Sequence, residues 1–322
     1  MGGAARDGSG REHPGLIVPG LLRACADAFG ADGAPVTLVN AGVNAVYRAG
    51  HVALRCCREA GVQDVPGVRH VREGELTLPL LWLEHLHAHG APVCRPLRTP
   101  DGGAVRRVPP GWLVTATGWV DGPRLSDLPF TPARARELGR SVGQLHLASA
   151  TFRPPPGQAH PFARWTDHWD RASGGAARDP VIRAAHARLG PLVHAWAVED
   201  AVVTHGDLRP GNVILDAGGS CVVIDFDEPV VGPAALDLAR AAMEALLARR
   251  ADAGALVAAL LAGYREVRPL GHAWDARITA LVDARAVLMA AWSLEDGRAG
   301  PGSGSGQVVS VPALSAWLSR DA

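Results

Sequence analysis

The spacing of apolar and polar residues divides the chain into a β-rich first third and a mainly helical remainder. Apolar and polar residues alternate along VTLVN (36–40), AVYRAG (45–50) and HVALRCC (51–57). This period of two predicts strands joined by tight turns. Residues 70–89 instead carry a helical stripe of leucines, which comprises Leu76, Leu80, Leu83 and Leu86. Alternation then returns in three further predicted strands up to about residue 120.

Helical periodicity dominates the chain after residue 120. Thr131 and Pro132 are typical of a helix start, because threonine caps the first turn and proline suits the first helical position. A β-like apolar stretch at 202–226 interrupts the helices. The remaining helices are predicted at 15–29, 181–197, 233–248, 252–265, 273–292 and, as a short amphipathic tail, 312–320.

These patterns predict an α+β fold with two lobes. Residues 1–13 are expected to be disordered, residues 14–119 to form a small β-rich N-terminal lobe, and residues 120–296 to form a larger, mainly helical C-terminal lobe. Residues 297–322 are expected to form a flexible Gly/Ser linker and the tail helix. A cleft between two lobes is a common place for a ligand.

Composition narrows the classes of function. The chain has 322 residues, with 32 basic and 32 acidic ones, so an electrostatic grip on nucleic acid or on a membrane surface is not expected. The sequence contains no lysine, and any task for a cation therefore falls to arginine. Five cysteines without a Cys-x-x-Cys pair argue against a disulfide framework or a structural zinc site. The N-terminus has no apolar secretory core, and we expect a cytoplasmic protein.

The candidate chemistry lies in THGDLRPGNVIL (204–215), a polar run between two strand-like segments. Phosphoryl transfer needs a carboxylate beside the attacking hydroxyl and hard oxygen ligands for Mg²⁺. Asp207 is the candidate carboxylate. Asn212 and Asp225, the latter at the end of the next apolar strand, are the candidate Mg²⁺ ligands.

Two neighbouring residues have supporting roles in this interpretation. His205 is expected to orient the loop through hydrogen bonds. Arg209 either steadies the γ-phosphate in the transition state or pairs with a neighbouring acid. Pro210 and Gly211 permit the tight turn that brings Asn212 back towards Asp207.

The run HGDLRPGNVIL followed by VVIDFDEP resembles the catalytic loop and metal-binding strand of the aminoglycoside phosphotransferase family. That family has the protein-kinase-like fold and includes choline and homoserine kinase relatives. The resemblance implies that Asp207 is the catalytic base and that Asn212 and Asp225 bind Mg²⁺. GPAALDLAR (232–240) resembles a further family segment, whose Asp237 is expected to buttress the loop.

The resemblance also implies an ATP site in the N-terminal lobe. NAGVNAVYRAG (40–50) resembles the family's phosphate-facing hairpin, so backbone groups around Gly42 and Asn44 are expected near the phosphates. Arg55 would clamp phosphate oxygens, where the family often has lysine. The stretch from Thr115 to Gly118 resembles the hinge that faces the adenine.

The family's helix glutamate has no direct counterpart. The expected position is occupied by Pro79, and Glu75, one turn earlier, is the candidate partner of Arg55. Because proline removes an amide donor and disfavours a helix interior, the helix either starts near Pro79 or kinks there.

The sequence therefore predicts an ATP- and Mg²⁺-dependent phosphotransferase acting on a hydroxyl of a small molecule, an antibiotic or a metabolite. A polycationic aminoglycoside is not favoured, because the C-terminal helices carry few clustered acids. Two alternatives stay open: a kinase of Ser or Thr in a peptide during natural-product maturation, and a non-catalytic nucleotide-binding scaffold. The expected partners are a small-molecule or peptide acceptor, with neither nucleic acid nor membrane, in a monomer or homodimer.

Overall fold

A computed structural model describes residues 17, 19–41, 44–62, 70–157, 161–296 and 309–320. The segment predicted to be disordered (1–13) and the Gly/Ser linker (297–306) lie outside the described residues. The chain divides into two compact units. The first contains the described residues of Met1–His87, Cys94–Asp121 and Pro154–His160, and the second contains those of Ala88–Val93, Gly122–Arg153 and Pro161–Ala322.

The first unit is built on one mixed sheet with two helices. Its elements are α1 (Pro19–Ala28), β1 (Val36–Ala41), β2 (Ala45–Ala49), β3 (Val52–Glu59), β4 (His70–Val71), α2 (Glu73–Ala88), β5 (Val105–Val108) and β6 (Trp112–Gly118). The strand order is β1-β2-β3-β6-β5, with antiparallel pairing throughout, and the short β4 pairs in parallel with β3.

The two faces of this sheet carry separate apolar clusters. Cys56 packs with α1 residues such as Leu22, whereas its neighbour Cys57 packs with Val71 and with Leu76 of α2. Successive side chains of a strand point to opposite faces, so the alternation read from the sequence accounts for both clusters.

Helix α2 runs through Pro79 rather than starting at it. The helix begins at Glu73, six residues before the proline, so of the two alternatives left open, the start near Pro79 is wrong. Leu78, Trp82 and Leu83 are buried along the same helix. The burial of this apolar side stabilises the helix and compensates for the loss of the amide hydrogen bond that proline cannot make.

The second unit is mainly helical, with two small sheets. Its elements are α3 (Pro132–Ser149), β7 (Ala163–Arg164), α4 (Trp165–Arg171), α5 (Ser173–Ala176), α6 (Pro180–Trp196), β8 (Ala201–Thr204), β9 (Val213–Leu215), β10 (Cys221–Val223), β11 (Val230–Pro233), α7 (Ala235–Leu247), α8 (Ala253–Arg265), α9 (Ala273–Asp296) and α10 (Val311–Leu318). Strand β11 pairs in parallel with β7 and antiparallel with β8, and β9 and β10 form an antiparallel hairpin.

Helix ends in this unit follow the capping signals of the sequence. Thr131 accepts a hydrogen bond from the backbone amide of Arg134 at the start of α3, and Pro132 takes the first helical position, as predicted. The tail helix α10 also forms, and Trp317 Nε1 donates to Asp283 Oδ1 of α9 at 2.7 Å. In the described ranges, no helix combines the length and the apolar composition that crossing a membrane requires.

Candidate active site

The predicted catalytic loop connects β8 to the β9–β10 hairpin. Strand β8 ends at Thr204 and β9 begins at Val213, so the polar run occupies the eight residues between them. Its last three residues, Pro210–Asn212, form a 3₁₀ turn. The backbone amide of Ile224 donates to the carbonyl of Asn212 at 2.9 Å, which brings the end of β10 beside the loop.

The start of the loop is held by the buried carboxylate of Asp237 on α7. The amides of His205 and Gly206 donate to Asp237 Oδ2 and Oδ1 at 2.7 and 3.0 Å, and His146 Nε2 lies 3.0 Å from Oδ2. Burial raises the pKa of this carboxyl, but the hydrogen bond and charge of His146 and the bond from the His205 amide outweigh it, so the pKa lies below its usual value. These contacts agree with the predicted buttressing role of Asp237.

His205 is held in one tautomer by its two backbone partners. The amide of Asp207 donates to Nδ1 at 3.3 Å, so Nδ1 is an acceptor and Nε2 carries the proton that it donates to the carbonyl of Ile224 at 3.0 Å. The ring also meets Phe226 edge-on, with 4.9 Å between the centroids. His205 therefore ties the loop to the end of β10, which supports the orienting role predicted for it.

The carboxylate of Asp207 is surrounded by arginine. Arg240 Nε donates to Oδ1 at 2.7 Å, Arg285 Nη2 lies 3.4 Å from the same oxygen, and Arg209 Nε lies 3.4 Å from Oδ2. Asn212 Nδ2 adds a bond to Oδ2 at 3.2 Å and one to the backbone carbonyl of Asp207 at 2.9 Å. Two roles were left open for Arg209. The structure supplies an acid for one of them, the pairing with a neighbouring carboxylate, because Asp207 lies beside Arg209.

These arginines determine the ionisation of Asp207. Burial raises the pKa of its carboxyl, but the positive charges of Arg240, Arg285 and Arg209, in that order, outweigh burial and lower the pKa to about 2. The group is therefore a carboxylate at neutral pH, ready to accept a hydrogen bond from a hydroxyl.

Asn212 and Asp225 have the donor chemistry of a Mg²⁺ site. Because Asn212 Nδ2 bonds Asp207, the amide end suited to a hard cation is Oδ1. Asp225 is exposed and has φ +71, a left-handed conformation that usually costs a side-chain residue energy and is often kept at functional positions. Within the described ranges, no group of three or more His, Cys, Asp or Glu side chains could hold a metal. An Asn–Asp pair completed by phosphate and water oxygens is a different kind of site.

The predicted nucleotide-binding residues lie in the first unit, apart from Gly42, which is outside the described residues. Asn44 is buried just before β2. Arg55 on β3 stands directly opposite Thr115 on β6, and Gly118 ends β6 with its amide donating to the carbonyl of Arg95 at 2.7 Å. Their contacts with ATP stay predictions.

Glu75 lies in the first turn of α2, where its carboxylate has a local partner. Arg72 Nη1 donates to Glu75 Oε1 at 3.0 Å, and the Arg72 amide donates to Oε2 at 3.3 Å. This arrangement caps the start of the helix. The pairing of Glu75 with Arg55 stays a prediction.

Comparison with known proteins identifies the family. The model of the phosphotransferase enzyme family matches residues 44–275. The chain belongs to this family. A homoserine kinase from Hyphomonas neptunium is 30% identical over 213 residues, which are 62% of this chain and 63% of the relative. A homoserine kinase from Methylocella silvestris is 29% identical over 239 residues, 71% of each chain.

Solved structures share the fold of this phosphotransferase-family chain. An amicoumacin kinase in complex with AMP-PNP and Ca²⁺ has a TM-score of 0.73 at 17% identity, and the match covers 87% of this chain and 86% of the kinase chain. A microcompartment-associated aminopropanol kinase has a TM-score of 0.69 at 23% identity, and the match covers 93% of this chain and 94% of the kinase chain. The predicted protein-kinase-like α+β class is therefore confirmed.

Sequence reasoning missed two arginines of the site. Arg240 lies one helical turn after Asp237, so the family segment that contains Asp237 could have drawn attention to it. Arg285 on α9 is 78 residues from Asp207 and lies beyond the residues that the family model matches. No local pattern marks Arg285, and only the packing of α9 brings it to the loop.

Proposed function

We propose that this phosphotransferase-family chain transfers the γ-phosphoryl group of ATP to a hydroxyl of a small molecule. The observation that carries the proposal is the ionised carboxylate of Asp207, held by Asn212 and three arginines in the loop whose sequence resembles the family's catalytic loop. The relatives named as homoserine, amicoumacin and aminopropanol kinases support a hydroxyl as the acceptor.

Asp207 is proposed to orient the acceptor hydroxyl and to take its proton. The hydroxyl oxygen forms a bond to the γ-phosphorus as the bond from that phosphorus to the β–γ bridging oxygen breaks, and the proton passes to a carboxylate oxygen. The lowered pKa makes this carboxylate a weak base, so Asp207 is proposed to accept the proton late, when the new bond is largely formed. This timing suits the loose transition state of phosphoryl transfer.

The remaining roles follow from the donor chemistry of each residue. Asn212 and Asp225 would hold Mg²⁺, which neutralises charge on the phosphates. Arg55 would bind phosphate oxygens through its guanidinium, and backbone groups between Thr115 and Gly118 would bind the adenine. A cytoplasmic location is proposed as well, because all five cysteines are free and buried, which fits a reducing compartment.

The test is a mass-spectrometric search for products that gain one phosphate when ATP, Mg²⁺ and hydroxyl compounds are incubated with the protein. Asp207→Asn keeps the shape of the side chain but removes the base, and we expect turnover to fall roughly 10²–10⁴-fold. ATP binding, followed by thermal shift, should persist. Asp170→Asn, an exposed carboxylate that pairs with His194, is the control and should keep full turnover.

Two results would reject the proposal. Equal turnover of Asp207→Asn and the parent protein would remove Asp207 from the chemistry. The absence of any phosphorylated product across cationic, neutral and anionic acceptors, with ATP binding retained, would instead favour a nucleotide-binding scaffold.

A further inference from the structure

The guanidinium group of Arg285 has hydrogen-bond donors that the described residues do not fully satisfy. Its Nη2 is shared between Asp207 Oδ1 and Glu228 Oε2, and both distances are 3.4 Å. Charge-assisted hydrogen bonds are usually about 2.7–2.9 Å long, as is the bond from Arg240 to the same Asp207 oxygen at 2.7 Å. Arg285 Nε is buried and has no hydrogen-bond partner within the described part of the chain. A buried donor in this condition is unusual and calls for an explanation.

The surroundings of Arg285 add few compensating interactions. Its guanidinium lies over Trp292, 5.5 Å from the ring centroid, and Trp292 meets His168 edge-on at 5.7 Å. Burial, Arg171 and Arg285 lower the pKa of His168 to about 4, so this ring is neutral at pH 7. Glu228, the second carboxylate near Arg285, has a side chain that is 41% exposed.

Arg277, two turns earlier on α9, shows what an arginine with a structural role looks like here. Its Nη1 donates to Glu199 at 2.6 Å, and its guanidinium lies 5.1 Å from the ring centroids of both Trp196 and Trp274. Arg277 thus has a close carboxylate and two aromatic neighbours, whereas Arg285 has two distant carboxylates and one aromatic neighbour. Of these two α9 arginines, Arg285 is the one with a buried donor that lacks a partner in the described residues. Arg209 Nε, also beside Asp207, shares this condition, as does Arg58 Nε in the first unit.

We infer that Arg285 binds a carboxylate of the acceptor, so that the preferred substrate is a compact hydroxy acid. The inference rests on the proposed function, because it takes Asp207 as the group that meets the reacting hydroxyl. An acceptor hydroxyl bonded to Asp207 lies beside Arg285, whose planar guanidinium matches a carboxylate with two parallel donors. The same position disfavours an acceptor that brings an ammonium group, because Arg209 and Arg240 also face it.

Geometry limits the size of this acceptor. Two hydrogen bonds of about 2.8 Å, together with the 3.4 Å gap between Arg285 Nη2 and Asp207 Oδ1, place the hydroxyl and carboxylate oxygens at most about 9 Å apart. This separation fits an acid with a few carbons between the two groups.

The test uses acceptors that differ only in the carboxylate. Hydroxy acids of three to six carbons without an amino group, each compared with its own primary amide, form these pairs. We expect the acid of the preferred pair to exceed its partner in kcat/KM by roughly 30-fold or more. Arg285→Met should reduce this preference, because KM for the acid rises more than KM for its amide; any effect of the lost charge on Asp207 acts on both substrates and leaves their ratio unchanged. Arg285→Lys should restore part of it.

Arg277→Met is the matched control, since it removes an arginine stacked on tryptophan from the same helix. It should keep the preference for the acid. A structural role of Arg285 would lower the rates for acid and amide alike, so the ratio between them separates the two explanations. If Arg285→Met does not fold, the parent protein's ratio and Arg285→Lys still decide.

The inference is overturned if the parent protein phosphorylates the amides as efficiently as the acids, or if Arg285→Met and Arg277→Met change the ratio equally. Transfer to other hydroxyl compounds but to none of these acids would also overturn the inference, whereas no transfer to any cationic, neutral or anionic acceptor would overturn the proposed function itself. The two failures are therefore distinct.

Discussion

Replacing Asp237 by asparagine should loosen the catalytic loop, because one side chain holds three donors. Asp237 is fully buried and accepts from the amides of His205 and Gly206 and from His146. Asparagine keeps the size of the side chain, but it has one acceptor oxygen, and its NH₂ group faces a donor. At least one buried N–H then loses its acceptor.

The expected magnitude follows from these lost bonds. A buried donor left without a partner costs about 1–3 kcal/mol, and hydrogen bonds to a charged group are worth about 1.5–3 kcal/mol. We therefore expect Asp237→Asn to lower the free energy of unfolding by about 2–5 kcal/mol at pH 7. Urea denaturation measures this change, and Asp170→Asn, which alters an exposed carboxylate, should stay close to the parent protein.

The pH dependence gives a second, signed readout. The pKa of Asp237 lies below its ordinary value of 3.8 in the folded protein. Its ionisation thus adds stability that is fully present above that value and is lost as the pH falls below it towards the folded pKa. The difference in the free energy of unfolding between the parent protein and Asp237→Asn should stay constant from pH 7 to 5 and become smaller as the pH falls below 4. A gap under 0.5 kcal/mol at pH 7 (about the scatter among surface substitutions), or one that widens in acid, would refute the reasoning.

Two further outcomes are expected. Asp225→Asn keeps a residue type that tolerates φ +71 but removes the charge, and it should weaken Mg²⁺-dependent ATP binding at least about 10-fold in a thermal-shift titration; unchanged binding would contradict the metal role. Gly206→Ala places a Cβ 1.9 Å from the carbonyl oxygen of Glu228 at φ +82 and should destabilise the protein by about 2–5 kcal/mol in urea. Gly219 has the same φ, but an added Cβ there would have no atom within 4 Å, so Gly219→Ala should lower the stability only by the backbone strain, about 1–2 kcal/mol. Equal losses of stability in the two variants would contradict the predicted clash at Gly206.

The arginines of the site matter because they set the charge of Asp207, the proposed base, and because the proposed choice of acceptor depends on them. With Arg240, Arg285 and Arg209 around it, Asp207 stays ionised at neutral pH. The sequence-based expectation that a polycationic drug is not favoured rested on a shortage of clustered acids. The structure adds a positive reason, the guanidinium groups beside the carboxylate.

The elements near the catalytic loop were predictable because their signals are local. The apolar, β-branched residues of β8, the turn residues Pro210 and Gly211, and the return of Asn212 to Asp207 all lie within a few residues of one another. Such short segments adopt the conformation that their own backbone preferences favour. The start of α2 was less predictable, because burial of Trp82 and its neighbours outweighs the local cost of Pro79.

The sequence by itself determined the α+β fold class, and it predicted the position of the catalytic loop and the residues with base and metal-ligand chemistry. Only the tertiary structure decided which charges surround Asp207, since Arg240 and Arg285 lie 33 and 78 residues away along the chain. The reason is that an arginine lowers the pKa of a carboxyl only when packing brings the two charges within a few ångströms in a poorly solvated place. Helix packing over long sequence separations sets that distance, and neither residue composition nor periodicity encodes it locally.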